Sequence, residues 1–176
     1  MKTWLKWLPF IGFAACFLFF RLALSHPENT VVPSKQIGKA LPEFQLPAVL
    51  PDIAGVNSRE MKNGQPHFLN IFASWCLPCA EESGSLMAIH EAGIPIMAIA
   101  IRDKPADITR FLNRYGNPYQ AIGIDQGSQI QLAIGSSGVP ESFLVDGQGV
   151  IRYQHIGAVT EKDLPQLMSI WRQITA

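Results

Sequence analysis

Two cysteines with two residues between them sit where an apolar run gives way to an amphipathic one, in the stretch HFLNIFASWCLPCAEES from His67 to Ser83. This constrains the fold more than any other feature of the chain. The run His67 to Ala73 reads as a buried strand, and Leu77 to Ala92 reads as a helix stopped by Gly93. The cysteines Cys76 and Cys79 therefore fall on a strand-to-helix turn.

The same alternation continues downstream. Pro95 to Ile101 is a second apolar strand, and Ala106 to Tyr115 is an amphipathic helix closed by Gly116. A short strand around Ala121 to Ile124 and a short helix around Ser128 to Ile134 follow. Ser142 to Val145 and Val150 to His155 flank Asp146-Gly147-Gln148-Gly149, a hairpin signal. Thr160 to Ile174 is a closing helix, with Thr160 or Asp163 as N-cap and Pro165 near its start. Strands separated by helices, then a hairpin and a last helix, predict an α/β fold with a mixed central sheet flanked by helices. The reactive turn then lies at the sheet edge where open sheets bind ligands.

The front of the chain differs in kind. Lys2 and Lys6 precede an uninterrupted apolar run from Trp7 to Phe20, followed by Arg21 and Leu22 to Leu24. One reading is a single-pass transmembrane anchor, ~25 Å long over Leu8 to Leu24, with Arg21 snorkelling at the far end. The other is a secretion signal cleaved near Ala23-Leu24-Ser25. FAAC, ending at Cys16, faintly resembles a lipoprotein processing site, but the apolar run continues past it. Both main readings place the remainder outside the cytoplasm, where disulfides persist. The expected organisation is an anchor over 1–24, a linker over 25–37 and a single domain over 38–176. Fourteen basic and fourteen acidic side chains cancel, and no basic stripe appears, which argues against a nucleic-acid partner.

A C-x-x-C pair supports three chemistries. A zinc site needs about four ligands, and this chain has no second pair, its four histidines being scattered singly. A purely structural disulfide across so small a loop constrains the unfolded chain little. Redox exchange fits the position, because helix N-terminal amides favour thiolate over thiol at Cys76. Cys76 is then the exposed attacking nucleophile and Cys79 the resolving thiol, with no other cofactor required. Pro78 is tolerated in the first helical turn. Trp75 is either a lid against which partner chains pack or a core aromatic. Cys76, Cys79 and Glu82 share one helical stripe, with Glu81 turned away. Glu82 either exchanges protons with Cys79 or is an ordinary solvated side chain.

Together with IGKALPEFQL (Ile37 to Leu46), YGNPY (Tyr115 to Tyr119) and GVPESFLVDGQGVIRYQHIG (Gly138 to Gly157), these segments resemble the thioredoxin superfamily. More closely, they resemble its DsbE/CcmG group of thiol:disulfide interchange proteins in cytochrome c maturation. The resemblance implies a thioredoxin-like domain tethered to the bacterial inner membrane and facing the periplasm. It implies that the domain reduces the haem-attachment cysteines of apocytochrome c, directly or through a partner thiol protein, and is re-reduced by a transmembrane electron donor. Residue by residue it assigns the redox pair to Cys76 and Cys79, the preceding aromatic to Trp75 and a cis-proline to Pro140. Val139 would then offer its backbone to a bound peptide, and Glu82 and Glu141 would be the characteristic acids. Asn70 stands where general thioredoxins have a buried Asp, and Leu77-Pro78 departs from the group's usual dipeptides.

Electron direction follows from charge. No His lies between the cysteines, and Glu82 and Glu141 disfavour thiolates, so the pair is expected to reduce its substrates. The alternatives are a tethered reductase serving another assembly, such as oxidase copper-site maturation, and a non-redox apocytochrome-binding module.

Overall fold

The computed structural model describes residues 7–24 and 35–175. Contacts divide the chain into two units, Met1–Pro33 and Ser34–Ala176.

In the first unit, α1 (Leu8–Leu24) is a seventeen-residue helix. Phe10, Phe13, Phe17, Leu18 and Phe19 are all exposed, so apolar surface surrounds it. At ~1.5 Å per residue it rises about 25 Å, against the ~30 Å of a hydrocarbon core. No helix among the described residues is long and apolar enough to cross a membrane, so the spanning helix expected from the sequence is not shown. Lys2, Lys6, Ser25 and most of the expected linker lie outside the described residues.

The second unit is built on a five-stranded sheet in the order β5-β4-β3-β6-β7. Its strands are β3 (His67–Phe72), β4 (Ile96–Ile101), β5 (Ala121–Asp125), β6 (Glu141–Val145) and β7 (Ile151–Ile156). β3 lies at the centre with all six residues buried, which is why it reads as a continuous apolar run rather than an alternating one. It pairs parallel with β4, and β4 parallel with β5, while β6 pairs antiparallel with both β3 and β7. The sheet is mixed, as the sequence predicts, and the order has a functional result. The carboxyl ends of β3, β4 and β5 lie on one edge, and antiparallel β6 begins there, with Glu141 opposite Ile71.

The helices are α2 (Leu77–Glu91), α3 (Pro105–Tyr115), α4 (Gln129–Ile134) and α5 (Leu164–Thr175). Their ends follow the sequence signals. Gly93 and Gly116 take positive φ after α2 and α3, and Pro105 opens α3. The last helix begins at Leu164, directly after Asp163, the second of the two expected N-caps, and the Asp163 carboxylate accepts from the Thr160 amide and hydroxyl at 2.8 and 2.6 Å.

One element escapes the sequence reading. β1 (Gln45–Leu46) and β2 (Val56–Asn57) form a small antiparallel ladder that leans on β5 through bridges at Gly123 and Ala121. A Cβ at Gly123 would lie 2.6 Å from Leu46 Cβ, so this close approach requires glycine. Strands of two residues are too short for any period to register.

Candidate active site

Cys76 and Cys79 are joined in a disulfide with Cα atoms 5.3 Å apart. Cys76 is the N-cap of α2 in extended conformation, and its sulfur accepts from the Cys79 amide at 3.2 Å. Once the disulfide opens, the same amide and the helix N-terminus are placed to hold a Cys76 thiolate. Pro78 falls in the first turn, where its missing N–H costs nothing. Cys76 is only 6% exposed, less than the sequence suggests, and Cys79 2%. The exposed surface belongs instead to their neighbours, Trp75 at 59% and Leu77 at 70%. Trp75 is thus no core aromatic.

The turn is held from β4. Beyond the end of that strand, buried Asp103 accepts from the Ser74 amide at 2.6 Å and the Ser74 hydroxyl at 2.8 Å. The preceding residue, Arg102, stands at φ 45° and offers its carbonyl to the Trp75 indole N–H at 3.2 Å. Its own guanidinium is fixed by donation to the Ser128 hydroxyl at 2.9 Å. None of this is visible in the linear sequence, although adjacent parallel strands must end side by side. Asp103→Ala leaves the Ser74 and Lys104 donors without their acceptor. It is expected to cost about 1–3 kcal/mol, read as a lower urea midpoint at unchanged slope.

Behind the disulfide lies a buried polar network. Glu82, one turn beyond Cys79, is 1% exposed rather than solvated. One carboxylate oxygen accepts from the Asn70 amide group and the other from the Val159 backbone N–H, both at 3.0 Å. Burial outweighs these hydrogen bonds and pushes its pKa up to about 7. Asn70 also donates to the Ser142 hydroxyl at 3.1 Å, the two being partners across β3 and β6. The Asn70 carbonyl accepts from the Tyr119 hydroxyl at 3.0 Å. Burial, with a smaller contribution from the Glu82 charge, raises the Tyr119 pKa well above its usual value, so the hydroxyl remains a donor. With its carbonyl taken, the amide turns its NH2 toward Glu82 and Ser142.

Tyr119 therefore sets which end of Asn70 the carboxylate meets. Phe72 stacks on the Tyr119 ring at 5.0 Å, so Tyr119→Phe keeps the packing and deletes only the donor. The expected cost is about 1–3 kcal/mol in chemical denaturation, for one buried acceptor left unpaired.

On the β6 side, the Val139–Pro140 peptide is cis. The next residue, Glu141, is fully buried. One of its oxygens accepts from the Ser136 hydroxyl at 2.9 Å and the Ser137 amide at 2.8 Å, with the Gly138 amide further off at 3.4 Å; the other meets the Gln154 amide group. Its carboxylate is committed to the loop that leads into Val139 and Pro140. Glu141 is thus hydrogen-bonded to that loop, whereas Glu82 lies on α2 one turn beyond Cys79. Among the described residues, no three His, Cys, Asp or Glu side chains group so as to hold a metal ion.

Comparison with known proteins agrees with this geometry. The Redoxin family model matches residues 36–169. The thiol:disulfide interchange protein DsbE of Pseudomonas fluorescens biotype C is 35% identical over 163 residues, covering 92% of this chain and 89% of the relative. The thiol:disulfide interchange protein HelX of Rhodobacter capsulatus is 32% identical over 157 residues, covering 89% of each. A crystal structure from Chlorobium tepidum, of a protein assigned as a thiol:disulfide interchange protein DsbE, superposes with a TM-score of 0.67 at 26% identity. It covers 81% of this chain and 100% of that one.

Proposed function

The chain belongs to the DsbE/CcmG family of the thioredoxin superfamily and is a thiol-disulfide oxidoreductase, and from that premise we propose that it acts as a membrane-tethered reductant in cytochrome c maturation. In the reduced protein the Cys76 thiolate attacks one sulfur of a substrate disulfide. The substrate S–S bond breaks, a mixed disulfide forms, and the first substrate sulfur leaves as a thiolate that takes up a proton. Cys79 gives its proton to Glu82 and attacks Cys76 Sγ. The Cys76–Cys79 bond closes, the second substrate sulfur leaves and is protonated, and two electrons have passed to the substrate.

The observation that carries this reading is Glu82, a buried carboxylate one helical turn from Cys79 whose pKa lies at about 7. A group so poised accepts and releases a proton with little penalty near neutral pH. Leu77-Pro78 places no charge between the cysteines, which supports a reducing pair over a thiolate-stabilised oxidant. The proposed substrate is the disulfide of a haem-attachment Cys-x-x-Cys-His segment, met directly or through a partner thiol protein. A thiol donor in the membrane would restore the dithiol. Resemblance across the segments around Ile37, Cys76, Tyr115 and Gly138 supports this substrate, and the exposed apolar girdle of α1 supports tethering.

The test is to equilibrate the protein with a redox buffer and then offer the reduced form an oxidised Cys-x-x-Cys-His peptide. Stoichiometric thiol release from the peptide is expected. A measured potential near the about −120 mV of a strong oxidant sinks the proposal.

A further inference from the structure

On the Trp75 side of the disulfide, a cleft of about 550 Å³ opens between the active-site turn and α3. Its lining combines aromatic faces with cations. Trp75 and Tyr115 are both exposed, and Phe111 sits against Tyr115 with ring centroids 5.1 Å apart. Arg110 and Arg114 also line it, one turn apart on α3. Arg110 pairs with Asp107. Arg114 lies over the Tyr115 ring at 5.3 Å, and among the described residues no carboxylate comes within salt-bridge distance of it. The cleft lining thus holds two guanidinium groups and one carboxylate, Asp107, in a chain whose formal net charge is zero.

We infer that this cleft is the docking surface for the disulfide substrate, and that it selects substrates carrying an aspartate or glutamate close in sequence to the cysteine that Cys76 attacks. The inference rests on the exchange activity proposed above and adds the chemistry of its partner. A peptide laid along the cleft gains flat contact area on Trp75 and Tyr115 at small entropic cost. A carboxylate on that peptide meets Arg114, whose planar fork suits bidentate pairing and which stacking on Tyr115 already orients. Because Trp75 directly precedes Cys76, a segment seated in the cleft is brought to the reactive sulfur. The charge acts on encounter as well as on binding, so its effect falls with added salt.

The test uses the full-length reduced protein and three cyclic disulfide peptides that differ only in one residue beside the cysteine pair, Glu, Gln or Lys. Each rate is expressed relative to that of the same protein with hydroxyethyl disulfide, a small neutral substrate. At low ionic strength the expected order is Glu above Gln above Lys, with about three- to five-fold between successive peptides. The preference is expected to vanish in Arg114→Gln, to invert in Arg114→Glu and to shrink at high salt. Equal rates for the three peptides, or a preference that survives both Arg114 variants, overturns the inference while leaving the exchange activity standing. Failure to reduce any substrate, hydroxyethyl disulfide included, overturns the exchange reading and this inference with it.

Discussion

Cys76→Ser is expected to abolish disulfide exchange, with a loss of roughly 10⁴- to 10⁶-fold, as when other enzymes lose a covalent nucleophile. Cys79→Ser should behave differently, and the contrast assigns the roles. Cys76 caps the helix and its sulfur receives the Cys79 amide, whereas Cys79 lies deeper. With Cys79 replaced, the first attack proceeds and the second is blocked, so the substrate remains bound through Cys76 as a mixed disulfide. Non-reducing electrophoresis and mass spectrometry of the Cys79→Ser protein should show that adduct, releasable by dithiothreitol. The reverse result, an adduct on Cys79 in Cys76→Ser and none in Cys79→Ser, would exchange the two roles.

Glu82→Gln should remove most of one pH dependence. The folded carboxyl holds its proton to about pH 7, whereas the unfolded one releases it near 4.5. Between those values the folded state binds the extra proton, so the stability this group contributes is fully present below about pH 4.5 and is lost as pH rises through 7. At 1.36 kcal/mol per unit, the loss is about 3 kcal/mol. The difference in urea stability between wild type and Glu82→Gln should change by about that amount from pH 4.5 to 8, with the variant relatively more stable at the alkaline end. Exchange should slow on the order of 10²-fold, and its pH profile should lose an inflection near 7. A stability difference that stays constant with pH would remove Glu82 from the proton chemistry.

Local signals made much of the domain legible in the sequence. The apolar run of β3, the glycines after α2 and α3, and the Asp146 to Gly149 hairpin each act over a few residues, and each lies where the sequence puts it. The stripe joining Cys76, Cys79 and Glu82 is equally local, because helical period alone turns Glu82 inward and Glu81 outward. What escaped was tertiary. Asp103 reaches Ser74 across 29 residues and Tyr119 reaches Asn70 across 49, and neither pairing leaves a trace in composition or period. A parallel crossover makes the first of these findable in principle, because it sets the ends of β3 and β4 on one edge. The hydrogen bonding of Glu82 was harder to read, since one of its donors is the backbone amide of Val159, 77 residues away.

That distance bears on when the chemistry can begin. During synthesis the cysteines emerge well before β6, the Glu141 loop and Val159 exist, so the newborn chain carries two reactive thiols and an ordinary hydrated Glu82. Only when Val159 docks does the carboxylate gain the backbone N–H that it accepts in the folded protein. Completion of the Glu82 environment is thus tied to the docking of a late segment, and a chain truncated before Val159 is expected to keep both thiols while lacking the backbone N–H that the Glu82 carboxylate accepts in the folded protein.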